Sequence, residues 1–310
     1  MKENANHHHD EINLRGRKLI ITIVLNLLIT IAQIIGAIFA NSLALLSDAL
    51  HNFSDSFSLV ITYIANQLTK KKSTKKETFG YKRAEIIAAF IHASFLLIIA
   101  VYIIYESIRR ILSPSTLEVD PVLVMALAGF GIIMNGLSVL IIYGDSKKNI
   151  NLRSAYVHLF SDMLSSVAVL LGGAAIYFFD ISVIDPILSF AIAIYLIVFG
   201  WRLVKESTKV LMQFTPKNID IEEIARDLST FREIRNIHHA HAWQLNDDEI
   251  MFEAHIEFAD NLTISEACEV MASMKDLLNQ HFNIHHTTFQ PEFQGNCKKD
   301  LIHQSHEHSD

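Results

Sequence analysis

Two copies of one short pattern place an imidazole and a carboxylate four residues apart. Each copy reads His-x-Phe-Ser-Asp, with imidazoles at His51 and His158 and carboxylates at Asp55 and Asp162. In an α-helix, residues four apart share one face and lie about 6 Å apart along the axis. Two such helices together offer two imidazoles and two carboxylates, and four ligands of this kind make a tetrahedral site for a divalent metal ion.

This ligand set favours zinc and implies competition with protons. Two neutral imidazoles and two carboxylates balance the charge of a divalent cation, and a tetrahedral set of nitrogen and oxygen ligands suits Zn²⁺, with Co²⁺ and Cd²⁺ close behind. Ca²⁺ and Mg²⁺ would require about six oxygen ligands or more. Ligands shed protons when they bind metal, and histidine titrates near neutral pH. The chemistry is therefore that of metal/proton exchange.

Both copies lie in long apolar segments. The chain is 51% hydrophobic and 19% charged, with a mean hydropathy of +0.29, and its apolar residues are clustered. An Asp at the centre of a bilayer costs roughly 2.5–3.5 kcal/mol, so its occurrence twice in one pattern favours a metal site over simple helix packing. Six clusters are long enough to cross about 30 Å of hydrocarbon. They are Lys18 to Ala40, Leu43 to Leu68, Ile86 to Leu112, Val122 to Tyr143, Ala155 to Phe179 and Pro186 to Met212.

The basic residues predict that both termini face the cytoplasm. The segment from Lys70 to Arg83 has seven of them and that from Asp145 to Arg153 has three, whereas Asn41-Ser42 and Asp180 to Asp185 have none. Cytoplasmic loops are enriched in Lys and Arg. Arg109-Arg110 are the exception, and their long side chains can extend to the far interface.

A different pattern follows the sixth span. A helical period over 219–231 precedes two strands, Ile237 to Leu245 and Ile250 to Phe258, and a helix from Thr263 to Phe282 precedes a strand from Ile284 to Phe293. The order α-β-β-α-β predicts a small two-layer α+β domain, which we call the tail domain. The predicted organisation is a mobile His-containing tail (1–17), a six-helix transmembrane domain (18–212), a cytosolic α+β metallochaperone-like domain (213–293) and a His-containing C-terminal tail (294–310).

These motifs resemble those of the cation diffusion facilitator family, in its zinc-type branch. Besides the two His-x-Phe-Ser-Asp copies, the matching segments are Ser47 to Asp55, Phe79-Gly80-Tyr81-Lys82-Arg83-Ala84-Glu85, Ala155 to Asp162, and His238 to Trp243, which resembles a His-x-x-His-x-Trp strand. The resemblance covers residues 15–293. It implies a homodimeric exporter in the cytoplasmic membrane that loads a divalent metal at His51, Asp55, His158 and Asp162 and couples its efflux to inward proton flow.

The resemblance also implies a second kind of metal site in the tail domain. It places His238, His255, His285 and Glu292 at Zn²⁺ sites that stabilise the dimer, and the neighbouring His239, His241 and His286 are possible substitutes for any of them. Cys297, His303, His306 and His308 are weaker candidates for ligands from a partner subunit. The family's bacterial members can carry ligands between the second and third spans, but the segment from Lys70 to Lys82 has no Asp or His, so no site is predicted there. A lysine-rich loop suits anionic lipid or carboxylates of a partner subunit.

Four further features have more than one interpretation. Asp48, one turn before His51, fits a role as partner of that imidazole, as proton relay or as helix contact, and the favoured role of Asn26 and Asn135 is hydrogen bonding between helices. His92 is a single imidazole on an apolar helix, for which packing is the favoured role. His7-His8-His9 could gather metal, although an optional tail is the simpler explanation.

Competing functions are a membrane-embedded metal sensor and a metalloenzyme. A catalytic zinc keeps an open coordination position and needs a general base. Four ligands close the predicted site, and no further Glu lies near either motif, so we do not expect an enzyme. The net charge of −7 also argues against nucleic acid as a partner. The expected partners are Zn²⁺, protons, the lipid bilayer and a second copy of the chain.

Overall fold

Six helices precede the tail domain in the computed structural model, which describes residues 27, 29–113, 118–146, 150–246, 249–295 and 300–302. Side chains at 141, 142, 144–146, 150–155 and 158 lie outside that description. The helices are α1 (Ile29–Phe39), α2 (Leu43–Thr69), α3 (Ala84–Leu112), α4 (Pro121–Ser146), α5 (Ile150–Phe179) and α6 (Ile184–Leu211). The first part of the predicted span from Lys18 to Ala40, the tail with His7-His8-His9, Cys297 and the histidines after 302 all lie outside the described residues.

Four of the described helices are long and apolar enough to cross a membrane. They contain the spans Ala84–Leu112, Pro121–Leu140, Leu159–Phe179 and Ile184–Leu211. The 27-residue helix α2 is not among them, and it carries Asp48, His51 and Asp55 within its length. The predicted fold class, a helical transmembrane domain followed by a small α+β domain, is confirmed.

A carboxylate from α6 holds the start of α2. Asp185 accepts hydrogen bonds from the Ser42 hydroxyl (2.5 Å) and from the backbone N–H groups of Leu43 (2.7 Å) and Ala44 (3.2 Å). The first N–H groups of a helix have no partner inside it, so Asp185 supplies a cap from another helix. This contact fixes the end of α2 that lies two turns before His51.

Arg110 is one of the two basic residues that do not fit the predicted cytoplasmic enrichment of Lys and Arg. It is held by hydrogen bonds within the membrane domain. Its guanidinium donates to the Asn41 carbonyl (2.8 Å) and side chain (3.2 Å) and to Glu106 (3.1 Å). Asn41 has a φ of 51°, a left-handed conformation that Asn tolerates better than most residues. Arg109 is largely exposed and pairs with the same Glu106 at 2.7 Å. These bonds give both arginines local partners, in addition to their predicted reach toward the interface.

The tail domain follows the predicted α-β-β-α-β order. Its elements are α7 (Ile221–Leu228), β1 (Ile234–Gln244), β2 (Ile250–Phe258), α8 (Ile264–Phe282) and β3 (His286–Glu292). The central strand β2 pairs antiparallel with β1 and parallel with β3. Alternation along β2 sends Phe252, Ala254 and Ile256 into a core with residues of both helices, such as Ile224 and Met274. The opposite face of the sheet therefore carries the polar residues of β2.

Candidate metal centre

Three predicted ligands come together inside the membrane domain. His51 Nε2 lies 3.5 Å from Asp55 Oδ2 and 3.7 Å from Asp162 Oδ1. One ligand atom from each residue lies within 4.8 Å of the other two. His51 and Asp162 are buried, and Asp55 is nearly so. The spacing in the sequence accounts for the first pair, since His51 and Asp55 are one turn apart on α2, and α5 brings Asp162 to the same point.

The spacing of these atoms fits a tetrahedral ion. With metal–ligand bonds of about 2.0–2.2 Å, neighbouring ligand atoms of a tetrahedral zinc ion lie about 3.4 Å apart. The two observed separations, 3.5 and 3.7 Å, are close to that value. Two carboxylates carry the formal charge that balances a divalent cation. The His158 side chain lies outside the described residues, so the predicted fourth ligand stays a prediction.

Asp48 joins α2 to α5 one turn away from the ligands. It is fully buried, and its Oδ2 accepts a hydrogen bond of 2.9 Å from the Ser166 hydroxyl. Asp48 precedes His51 by three residues, and Ser166 follows Asp162 by four. The bond therefore ties together the two helices that carry ligands, which favours the helix-contact interpretation of Asp48. Ser166 did not stand out in the sequence, although its position one turn after Asp162 was a usable signal.

His92 lies beside this group, which the sequence interpretation did not anticipate. It is buried on α3, and its Nε2 lies 3.9 Å from Asp55 Oδ1. The two oxygens of Asp55 thus face different imidazoles, with Oδ2 nearer His51. The helices α2 and α3 run in opposite directions, and the Phe57 ring of α2 meets the Phe95 ring of α3, so position 55 on one helix approaches position 92 on the other.

A second group of potential ligands lies on the tail-domain sheet, with one residue from each strand. Glu292 on β3 places its Oε1 2.8 Å from His255 Nδ1 on β2 and its Oε2 3.3 Å from His238 Nε2 on β1. His238 and His255 are direct partners in the antiparallel ladder, so their side chains share one face. The predicted fourth residue, His285, is exposed just before β3 and is not part of this group.

A bulge in β1 adds two imidazoles beside this second group. The ladder shifts register between His238 and His241, and His239 within the shift has a φ of 53°. The His239 ring stacks on that of His255 at 4.7 Å between centroids and lies 5.1 Å from the His241 ring. The bulge thus turns a neighbour of the predicted ligands toward them, which an ideal two-residue alternation would not do.

The basic loop after α2 contacts the tail domain of its own chain. Lys82 forms an ion pair with Glu249, which directly precedes β2, and the Phe79 ring meets the His286 ring edge-on at 6.4 Å. The described residues of this loop contribute to neither potential metal group. At least one of its lysines has an acidic partner within the same chain.

Two family models match the chain. The model described as the cation efflux transmembrane domain matches residues 19–212, and the model described as the cation efflux protein cytoplasmic domain matches residues 216–294. The chain therefore belongs to the cation efflux family, as its motifs indicated. It is a membrane transporter of metal cations and not an enzyme, and the family does not support the sensor or metalloenzyme alternatives.

Relatives with known names match along almost the whole chain. A cadmium, cobalt and zinc/H(+)-K(+) antiporter of Bacillus subtilis (strain 168) is 37% identical over 92% of this chain and 91% of its own length. Zinc transporter ZitB of Yersinia pestis is 35% identical over 90% and 88%. The metal cation efflux system protein CzcD of Cupriavidus metallidurans is 31% identical over 93% and 90%. The similarity extends over both the membrane and the tail domain.

Proposed function

We propose that this chain exports Zn²⁺ in exchange for protons and binds the ion within the membrane at His51, Asp55, His158 and Asp162. The observation that carries the proposal is the meeting of one imidazole and two carboxylates, largely buried, between apolar helices. Ionisable groups in such helices are costly and usually mark an ion pathway. The names of the Bacillus and Yersinia relatives specify zinc, cadmium or cobalt, so Cd²⁺ and Co²⁺ are the next candidate substrates.

The exchange follows from the ligands themselves. Aspartate and histidine bind metal only in their deprotonated forms, so an ion that occupies the group displaces protons from it. Protons that reach the group from the other side weaken it as a metal site and release the ion. The ligands come from α2 and α5, so a small shift of one helix against the other would open the group and lower its affinity.

The tail domain, in this proposal, holds a resident Zn²⁺ through His238, His255 and Glu292. The carboxylate lies between the two imidazoles, and all three residues occupy neighbouring strands. The resemblance adds His285 to this set, although in this chain it lies apart from the other three. Such an ion would stabilise a dimer of tail domains or sense cytosolic metal.

The proposal further includes a homodimer in the cytoplasmic membrane with both termini in the cytoplasm. The family that matches residues 216–294 is named for dimerisation and is described as a cytoplasmic domain. The tail domain follows α6 directly, so a cytoplasmic tail domain places the end of α6 on the same side. The seven basic residues between α2 and α3 agree with this orientation.

Transport by purified protein in proteoliposomes tests the function. With a pH-sensitive dye inside the vesicles, addition of Zn²⁺ should produce a proton flux opposite to the metal, and an imposed pH gradient should drive zinc uptake. His51→Ala should abolish both signals. A zinc flux without proton movement would reject the exchange mechanism, and the absence of any metal flux from wild-type protein would reject the transport function.

A further inference from the structure

A third helix faces the membrane metal group. The chain has 16 histidines, and only His51, His92 and His158 lie within residues 18–212. Two of these belong to the repeated motif, and the third belongs to none. Yet His92 is only 8% exposed, and its Nε2 lies 3.9 Å from Asp55. An imidazole on an apolar helix that approaches a ligand carboxylate needs an explanation beyond packing.

The packing of α3 against α2 holds His92 at this level. Leu43, Leu46 and Leu50 of α2 form one apolar cluster with Phe95, Ile99 and Ile103 of α3. Just beyond it, the Phe57 and Phe95 rings lie 5.7 Å apart. These contacts lie on both sides of Asp55 along α2. The position of His92 is therefore set by large side chains around it, and its distance from Asp55 is a property of the helix pair.

We propose that His92 is a third nitrogen ligand of the transported ion, supplied by α3 on the Oδ1 side of Asp55. A nitrogen and an oxygen can hold one zinc ion up to about 4.1 Å apart, since each bond is about 2.0–2.2 Å long, and the observed separation is 3.9 Å. Among the described residues of the membrane domain, His51, Asp55 and Asp162 place their ligand atoms within 4.8 Å of one another and His92 lies outside that group. His92 therefore takes the ion from the Oδ1 side of Asp55 as the ion leaves His51 on the Oδ2 side.

This role makes α3 part of the transport cycle. A ligand on a third helix allows the ion to keep a bond while α2 and α5 separate, so it moves by exchanging ligands one at a time. It also raises the nitrogen content of the site, which favours zinc, cobalt and cadmium over manganese and magnesium. The inference rests on the proposed function, because it assumes that Asp55 and its partners bind the transported ion.

A thiol scan with Co²⁺ tests direct coordination. The full-length protein first receives Cys268→Ser and Cys297→Ser, with His238→Ala and Glu292→Ala to disable the tail-domain group. Into this background go His92→Cys and, as a matched control on the same helix, Ser94→Cys, whose half-buried hydroxyl bonds the Phe90 carbonyl. A thiolate bound to Co²⁺ gives a near-ultraviolet charge-transfer band. We expect that band for His92→Cys and not for Ser94→Cys.

Titration with Co²⁺ supplies a second measurement in case the thiol variant binds no metal. In the same background, His92→Gln should weaken cobalt binding by roughly tenfold or more, as the loss of even an indirect partner of a metal does. Its visible absorption bands should also change, because the number of ligands has changed. A merely structural His92 would not alter those bands in protein that still binds one ion.

Two results separate this inference from the proposed function. If His92→Gln binds Co²⁺ with the affinity and spectrum of the parent, or if His92→Cys binds Co²⁺ without a charge-transfer band, His92 is not a ligand. Asp162→Asn in the same background should lose cobalt binding whether or not His92 is a ligand. If Asp162→Asn keeps it, the membrane site itself is wrong, and the inference about His92 is rejected with it.

Discussion

The chain carries two potential metal groups of similar composition on different supports. The membrane group combines His51 with two carboxylates, and its members come from helices α2 and α5. The tail-domain group combines two imidazoles with Glu292, and its members come from three hydrogen-bonded strands. Separations in the tail-domain group, 2.8 and 3.3 Å, are shorter than those in the membrane group, 3.5 and 3.7 Å.

The supports suit the two groups to different tasks. Backbone hydrogen bonds fix the register of strands, so ligands on a sheet cannot separate without breaking the ladder. Packed helices can slide or tilt against each other while their own hydrogen bonds stay intact. An ion on the sheet would therefore be retained, whereas an ion between α2 and α5 would be released when the helices shift. The carboxylate-rich membrane group also cancels the ionic charge, which matters in a medium that solvates charge poorly.

The largest expected effect comes from removing a membrane carboxylate. Asp162→Asn keeps the shape of the side chain but removes the negative charge and one anionic ligand. We expect zinc transport in proteoliposomes to fall by at least about 100-fold, because partners that only orient ligands already account for about 10–100-fold. The number of ions bound to the tail domain should stay unchanged. It is counted with and without Asp162→Asn in protein that also carries His51→Ala, so that the membrane group does not contribute.

The neighbouring Ser161→Ala is the matched control for this change. The Ser161 hydroxyl is exposed and bonds the Val157 carbonyl of its own helix. Its removal should leave transport within about twofold of wild type. Transport by Asp162→Asn at a comparable rate would show that the two groups do not divide their tasks as proposed.

The next substitution disables the tail-domain group and leaves the membrane group intact. His238→Ala removes a buried imidazole, only 2% exposed, from the tail-domain group. We expect metal analysis to show one bound ion fewer per chain. Zinc transport at saturating metal should decline by less than about tenfold, because no transport ligand is lost. A variant that retains its full metal content would remove His238 from the site.

His281→Ala is a suitable control for this experiment. His281 is an exposed histidine of the same domain, on α8, whose ring lies 3.2 Å from Asp227. Loss of an exposed imidazole away from the sheet should alter neither the metal content nor transport. Equal losses in both variants would indicate general damage to the tail domain.

The sequence predicted most of the fold because the signals are local. Long apolar runs predicted the helices, and the alternation from Met251 to Phe258 predicted β2 at its observed bounds. The His51–Asp55 pair followed from helical spacing alone. The approach of Asp162 required the two motif helices to meet, which the repetition of the motif indicated but spacing could not establish.

The remaining features depend on contacts between distant residues. No local pattern in the sequence indicates three of these features. They are the bulge at His239, the cap that Asp185 forms on α2 and the approach of His92 to Asp55. The set from the resemblance, His238, His255, His285 and Glu292, meets only in part. A residue one position before the start of β3 does not follow the strand's alternation, and this accounts for the separation of His285.

The cap on α2 offers a way to disturb one group and not the other. Asp185→Ala leaves three buried donors of Ser42, Leu43 and Ala44 without their acceptor, and each such donor costs about 1–3 kcal/mol. We expect a lower melting temperature of the membrane domain in detergent and slower transport. The tail-domain ion should remain. Ser138→Ala, which removes only a bond to the Met134 carbonyl within α4, should have little effect.

The smallest expected effect concerns the scaffold of the tail-domain group. Helix α8 begins with a capping box, in which the Thr263 hydroxyl accepts from the Glu266 N–H while the Glu266 carboxylate accepts from the Thr263 N–H at 2.8 Å. The bond from the Thr263 backbone and that from its hydroxyl lower the pKa of Glu266 from its ordinary value of 4.5. Because the folded-state pKa is the lower one, the stabilisation is complete above pH 4.5 and declines as the pH falls through the folded-state value.

Glu266→Gln should therefore lower the melting temperature of the tail domain by about 2–4 °C above pH 4.5, where the stabilisation in wild type is complete. Trp243 fluorescence in a Trp201→Phe background reports on the tail domain separately from the membrane helices. Below the folded-state pKa, wild type and variant should melt together, because both then carry an uncharged side chain. A difference that persists unchanged into acid would mean that the charge of Glu266 contributes nothing to the cap. Transport by Glu266→Gln at neutral pH should match wild type, since this helix end supports the sheet and not α2 or α5.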